Sequence, residues 1–336
     1  MQKLNYPVHP RLRAVLEAQL RDLHRQQTEI QTAALKKRIE RDGAMLQRQF
    51  REEGFVVVNG VFTPSEMDTV IAEAMKISSL ELAGAMEDDV RASNDMGVHA
   101  VKAKGYLVDL DPTGGKPKPR KIDNCFRKSA TFRQIATSGR LRDLVALVQQ
   151  AQATCKEPSS EMHASPLLLT DQAFMKPPRF GSAKPYHQDN YYFECFPSDD
   201  VITAWIALEK ADRSNGCLRY ITGSHRLGIV EHAPIPGDPN ESNISPTAEN
   251  ISRWTKESAE AGGKGEALAE VAKGGIVLHH SQTLHCSYPN ESDRWRRAYA
   301  THWVTPRVTT TSTITYKAPL FKTSEWMEAA RQGSAM

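Results

Sequence analysis

His187 and Asp189, separated by Gln188, place an imidazole and a carboxylate at positions i and i+2. In an extended strand successive side chains alternate between faces, so the two would project from the same side of a sheet. His285 offers a third donor from a distant segment. Two histidines and one carboxylate on one face of an Fe(II) ion leave the remaining coordination positions open for substrate and O2. The same donor set also suits Zn(II) with a bound water, the chemistry of a hydrolase, so these residues alone leave the metal open.

Arg296 follows His285 after the run Tyr288-Pro289-Asn290-Glu291-Ser292-Asp293. Pro, Asn, Ser and Asp between β-rich segments predict a hairpin that runs out through His285 and back through Arg296. A planar guanidinium there could grip a carboxylate through two parallel hydrogen bonds. Arg297 competes for that role, and strand alternation separates the pair. One face would carry Arg296, Ala298, Ala300, His302 and Val304, the other Trp295, Arg297, Tyr299, Thr301 and Trp303. The face with two alanines leaves room for a ligand, which favours Arg296.

The surrounding text is more specific than any one of these residues. It reads Lys176-Pro177-Pro178, then Tyr186-His187-Gln188-Asp189-Asn190-Tyr191-Tyr192-Phe193, Asn215-Gly216-Cys217-Leu218, Thr222-Gly223-Ser224-His225 and Leu284-His285-Cys286-Ser287. In this order the motifs resemble the phytanoyl-CoA dioxygenase family of non-haem Fe(II)- and 2-oxoglutarate-dependent oxygenases, from about Phe50 to about Thr305. The resemblance implies that His187, Asp189 and His285 bind Fe(II) and form the catalytic centre. It implies that Arg296 holds the distal carboxylate of 2-oxoglutarate, aided by Ser287, and by position it adds Gln172 and Lys121 to that pocket. O2 is the second cosubstrate, and hydroxylation of a small molecule with release of succinate and CO2 is the default outcome. Desaturation, cyclisation or epimerisation are alternatives on the same fold. Halogenation is disfavoured, because Asp189 occupies the place that chloride would need. A non-catalytic metal-binding homologue and a zinc hydrolase are the competing classes, and dependence on 2-oxoglutarate separates them from an oxygenase.

Other histidines are expected beside the centre or away from it. His279 is read on the His285 face but outside the ligand set, and its loss is expected to leave iron binding nearly intact. His225 is read as part of a turn, and no spacing suggests coordination by His232 or His302. Tyr191, Tyr192, Phe193 and Trp205 could line an apolar pocket, although aromatics near strands more often belong to the core.

The elements that must position these residues are mostly short and apolar. Phe55–Val58, Leu167–Leu169, Val201–Leu208, Leu218–Ile221, Gly275–Leu278 and Arg297–Val304 read as strands, which predicts an antiparallel sandwich. The family resemblance implies a mostly β double-stranded β-helix, a jelly-roll or cupin-like core with flanking helices. Leu12, Leu16, Leu20, Leu23, Ile30, Ala34 and Ile39 recur near the helical period, predicting one long N-terminal helix or two. That stripe could pack on the core or carry homo-oligomer contacts. Thr63-Pro64-Ser65-Glu66 has the signature of a helix start. The expected organisation is a helical extension over 1–50, an oxygenase domain over 51–320 and a tail over 321–336. The stretches 84–120 and 233–265 read as long irregular loops, candidates for gating the site.

At 40% hydrophobic and 25% charged residues, with 43 basic against 40 acidic side chains, the composition is that of a globular chain with a sizeable core. The near-balanced charge gives no reason to expect nucleic acid. Five cysteines without a C-x-x-C pair suggest reduced thiols. No apolar run long enough to span a bilayer and no signal core is evident, so a cytoplasmic enzyme without membrane contact is expected.

Overall fold

The structure, a computed structural model, describes residues 10–83, 100–103, 106–110, 117–152, 166–236 and 243–312. Its first element is a single unbroken helix, α1 (Pro10–Glu53). Val15, Leu16, Leu20, Leu23 and Ile30 in its first half are exposed, whereas Leu35, Leu46 and Phe50 are buried. Only the second half is therefore held by packing. The helix stops at Gly54, whose φ of +82° suits a residue without a side chain. A Cβ there would stand 2.5 Å from both His225 Nδ1 and Thr283 Oγ1. The Gly54 carbonyl accepts hydrogen bonds from the His280 N–H and the Thr283 hydroxyl, each at 2.9 Å, which fixes the helix end to the segment leading to His285.

Strand β1 (Phe55–Val58) follows, then α2 (Pro64–Ala83). Its start is capped reciprocally: the Thr63 N–H donates to Glu66 Oε2 at 2.8 Å and the Glu66 N–H to Thr63 Oγ1 at 3.1 Å. A small antiparallel sheet of β2 (Ala100–Ala103), β3 (Tyr106–Leu110) and β4 (Pro117–Pro119) stands where a loop over 84–120 was expected. The remainder of that stretch up to Pro117 lies outside the described residues. Beyond β5 (Lys121–Asp123) come the helices α3 (Cys125–Lys128), α4 (Ala130–Ala136) and α5 (Gly139–Gln152).

The C-terminal half consists of β6 (Leu167–Lys176), β7 (Lys184–His187), α6 (Asp189–Phe193), β8 (Cys195–Phe196), β9 (Ile202–Ala207) and β10 (Leu218–Ile221). It continues through β11 (Ala233–Pro234), β12 (Ile244–Ser245), α7 (Ala248–Glu260), β13 (Glu266–Ala269), β14 (Ile276–His280), β15 (His285–Ser287), β16 (Arg296–Val304) and β17 (Thr309–Thr310). These strands form a six-stranded sheet in the order β1-β14-β9-β16-β6-β5 and a four-stranded sheet in the order β13-β10-β15-β7, every pair antiparallel. This is the jelly-roll core with flanking helices.

Alternation along the strands sorts the core into two layers. Tyr299 and Trp303 of β16 pack outward with Phe50, Phe62, Phe126 and Phe132 beneath the helices. Ala298 and Ala300 face the opposite way, into a layer containing Phe55, Trp205, Ala207, Tyr220 and Val277. The second layer lies between the sheets.

The stretch 233–265 is not irregular either, although 237–242 lie outside the described residues. Strands β11 and β12 pair, and α7 is capped by Thr247, whose Oγ1 accepts from the Asn250 N–H at 3.2 Å. No residue of α7 is fully buried; Asn250, Ile251, Trp254, Thr255 and Ser258 form a half-buried face at helical spacing, of which only Ile251 and Trp254 are large and apolar. The last residues, including the expected tail over 321–336, lie outside the described part. Among the described residues no helix is long and apolar enough to cross a membrane.

Candidate active site

His187 and Asp189 do not share a strand. His187 ends β7, and Asp189 begins α6, with Gln188 as the joining residue at φ −112° and ψ 130°. One extended residue is enough to keep the two side chains converging, so the expected pairing holds by a different route. Gln188 pins this corner. Its amide Nε2 donates to the Gly228 and Gln282 carbonyls at 2.7 and 2.6 Å, its Oε1 accepts from the Val230 N–H at 2.9 Å, and its N–H donates to His232 Nε2 at 3.1 Å.

His285 comes from β15, directly paired with β7 in the register His285↔His187, and the two rings lie 4.2 Å apart. His187 Nδ1 lies 2.8 Å from the Pro185 carbonyl and His285 Nδ1 2.9 Å from the Thr283 carbonyl. A carbonyl only accepts, so each Nδ1 carries the proton and each Nε2 keeps a free lone pair. Both lone-pair nitrogens approach Asp189 Oδ1, at 3.7 Å from His187 and 3.6 Å from His285. The three donor atoms lie within 4.8 Å of one another and all three residues are buried.

The electrostatics match a metal-binding set, which requires neutral imidazoles and an ionised carboxylate. Burial pushes His285 down to about 4 and His187 well below its ordinary value. Burial alone would raise Asp189, but the neighbouring His285 and a hydrogen bond from His279 outweigh it and hold the carboxyl well below the usual range. Two neutral nitrogens and one anionic oxygen are therefore ready for a divalent ion at neutral pH.

Arg296 and Arg297 are separated as strand alternation predicts, but not by a hairpin. β15 belongs to the four-stranded sheet and β16 to the six-stranded one. The turn between them is consequently a crossing from one sheet to the other, held by the Asn290 N–H on the Gly181 carbonyl at 2.9 Å. Arg296 is buried, with its guanidinium 5.5 Å from the centre of the Trp205 ring in the layer between the sheets. Arg297 is on the opposite face, ion-paired to Glu209 at 3.0 Å.

Of the remaining expected residues, Ser287 is buried and has the same strand parity as His285. Gln172 is buried and lies opposite Ala300 in the register of β6 with β16. Lys121 is opposite Phe174, and its ammonium is ion-paired to Asp123 at 2.9 Å. Phe174 in turn pairs with Ala298, so both follow the alanine rows of the Arg296 face. Trp205 and Phe193 are buried in the apolar core, Trp205 in the layer that also receives Arg296. Tyr192 stays near the centre, its ring 6.0 Å from that of His187.

Sequence reasoning gave no role to Thr203, Tyr220, His232 or His302. Thr203 Oγ1 lies 2.6 Å from Asp189 Oδ2, and His302 Nδ1 lies 2.9 Å from Thr203 Oγ1. Tyr220 meets His279, which itself reaches Asp189. The signal for His302 was present, since it shares the parity of Arg296. The signal for Thr203 and Tyr220 was not, because it depends on which strands become neighbours.

The profile of the family Phytanoyl-CoA dioxygenase (PhyH) matches residues 50–298. Phytanoyl-CoA dioxygenase domain-containing protein 1 of Mus musculus is 31% identical over 284 residues, covering 76% of this chain and 87% of that relative. Among solved structures, EctD from S. alaskensis with bound Fe superposes with a TM-score of 0.56 at 15% identity, covering 83% of this chain and 82% of that one. The epimerase SnoN in complex with Fe3+, alpha ketoglutarate and nogalamycin RO has a TM-score of 0.52 at 18% identity, covering 85% and 89%. At these identities the structural likenesses speak for the fold.

Proposed function

Because the chain belongs to the phytanoyl-CoA dioxygenase family, we propose that it is an Fe(II)- and 2-oxoglutarate-dependent dioxygenase that hydroxylates a small-molecule substrate. The observation that carries this reading is the convergence of two lone-pair imidazole nitrogens on one carboxylate oxygen, at 3.7 and 3.6 Å, among buried residues.

His187, Asp189 and His285 are assigned as the iron ligands. Iron held there supplies the chemistry that couples O2 and 2-oxoglutarate to oxidation of a C–H bond: one oxygen atom enters the substrate, the other enters succinate, and CO2 leaves. The protein's share is placement. The buried Arg296 guanidinium is assigned to the distal carboxylate of 2-oxoglutarate, where a bidentate charge-assisted pair sets both position and angle. Ser287, on the adjoining strand of the other sheet, is assigned as its hydroxyl partner. Gln172 is placed in the same pocket as an amide donor, and Lys121 as a more distant cation already shared with Asp123. Burial of all three ligands would keep bulk water from the reacting centre once the site is loaded.

The test is an anaerobic titration with Fe(II) and 2-oxoglutarate, followed by O2 and a succinate assay against a panel of small metabolites. Appearance of the iron–2-oxoglutarate absorption band before any substrate is added supports the class. Hydrolysis of an ester or amide by the zinc-loaded protein, with no response to 2-oxoglutarate, would sink it. The exposed apolar half of α1, with Leu16, Leu20 and Leu23, supports self-association through this helix. Light scattering on the protein and on a triple Leu→Glu variant decides that point.

A further inference from the structure

Asp189 uses its two oxygens differently. Oδ1 faces His187 and His285, whereas Oδ2 is taken from two sides, by Thr203 Oγ1 at 2.6 Å and by His279 Nε2 at 2.9 Å. Thr203 and His279 are paired in the register of β9 with β14, in the same layer as the centre, so both arms are built into the sheet.

The hydrogen bonds fix where each proton sits. An ionised carboxylate only accepts, so Thr203 must donate its single hydroxyl proton to Oδ2, and its oxygen must then accept from His302 Nδ1 at 2.9 Å. His302 is thereby the Nδ1–H tautomer. The reverse assignment would leave a hydroxyl oxygen and a carboxylate oxygen 2.6 Å apart with no proton between them, and would put an orphaned N–H at the buried His302 Nε2. On the other side His279 must donate from Nε2, so its Nδ1 accepts from the Tyr220 hydroxyl at 2.8 Å. The two arms, Tyr220–His279 and His302–Thr203, end on the same oxygen with opposite histidine tautomers.

We propose that Thr203 and His279 are positioning residues that saturate Asp189 Oδ2 and so present Oδ1 alone to the metal. The carboxylate then occupies one coordination position instead of two, and the vacated one remains available to cosubstrate and O2. Tyr220 and His302 act one step further out by fixing the donors' protons. The inference rests on the reading of Asp189 as a ligand, and it removes the expectation that loss of His279 leaves iron binding nearly intact.

The experiment measures anaerobic Fe(II) affinity and the ligand-field spectrum of the Co(II)-loaded protein, alongside the melting temperature of the metal-free protein. Thr203→Val keeps the shape and removes the hydroxyl, and His279→Leu removes the other donor. Each is expected to weaken Fe(II) binding by about 10–100-fold and to shift the Co(II) spectrum, as is usual when a ligand's supporting hydrogen bond is lost. Thr203→Ser and His279→Gln restore a donor at similar reach and should return affinity and spectrum toward the parent's. Tyr220→Phe, which leaves Asp189's own bonds untouched, should give a smaller shift in the same direction, so the idea stays testable if a nearer substitution fails to fold. Unchanged affinity and spectrum in folded Thr203→Val and His279→Leu, with metal lost in His187→Ala, would overturn the positioning role alone. Metal retained in His187→Ala would instead overturn the ligand assignment beneath it.

Discussion

His285 and Arg296 stand on different sheets: His285 on the strand paired with His187, Arg296 at the start of the strand between β9 and β6. The short segment joining them crosses the sandwich instead of turning back along one sheet. Iron would thus be held by an imidazole of one wall, and the far end of 2-oxoglutarate by Arg296 of the other together with Ser287 of the His285 strand. The distance between those walls, rather than a turn, sets where the cosubstrate lies.

Removing either imidazole should empty the centre. His187→Ala or His285→Ala is expected to abolish stoichiometric Fe(II) and turnover together, because the two donors left cannot define one face of the ion. Metal analysis after anaerobic loading checks this, and retained iron in either variant excludes that residue from the ligand set.

Arg296→Ala should raise the 2-oxoglutarate requirement by one to two decades, since a hydrogen bond to a charged group contributes roughly 1.5–3 kcal/mol. Arg297→Ala should leave it nearly unchanged and act on stability, because that guanidinium is engaged by Glu209 on the other face. KM values for 2-oxoglutarate and melting curves of both variants separate the two effects. A reversed pattern would mean that the pocket lies behind the sheet.

Asp171 offers a pH-dependent stability test away from the metal centre. Burial pushes its carboxyl from 3.8 to about 7, against hydrogen bonds from the Tyr299 hydroxyl and the Phe126 N–H. The folded protein therefore holds this proton up to about 7, while the unfolded chain releases it near 3.8. Between those values the native state binds more protons, so this group's contribution to stability falls as pH rises and levels off above about 7. Asp171→Asn cannot ionise. Its stability relative to the parent should rise between pH 4 and 7, by at most about 4 kcal/mol at 1.36 per decade. Denaturant midpoints across that range give the answer, and a constant difference between variant and parent would refute it.

The segment between β11 and α7 reaches the rim of the centre at Asn243. Lys184, on the His187 strand, donates to Asn243 Oδ1 at 2.9 Å and to the Tyr192 hydroxyl at 3.1 Å. If this segment gates the substrate, Asn243→Ala should change substrate preference or uncouple succinate formation from product while iron content stays constant. Identical coupling and selectivity in the variant would reduce the segment to a spacer.

Much of this protein is legible in the chain. The apolar runs announce six of the ten strands of the two main sheets, β1, β6, β9, β10, β14 and β16, because a buried strand must be apolar to repay the ordering of its backbone. The Thr63–Glu66 cap, the opposite facing of Arg296 and Arg297 and the convergence of His187, Asp189 and His285 follow from residue type, order and alternation. Other features depend on strand order, which no local pattern encodes. Helix α7 escaped because only Ile251 and Trp254 on its half-buried face are large and apolar, and the sheet β2-β3-β4 because its strands are short and set among Gly, Lys and Pro. The hairpin expected after His285 failed because turn-forming residues specify a change of direction but not which sheet receives the next strand. The network around Asp189 was invisible for the same reason: Tyr220, Thr203, His279 and His302 come from four strands, and only closure of the sandwich brings their polar atoms within hydrogen-bonding distance of one another and of Asp189.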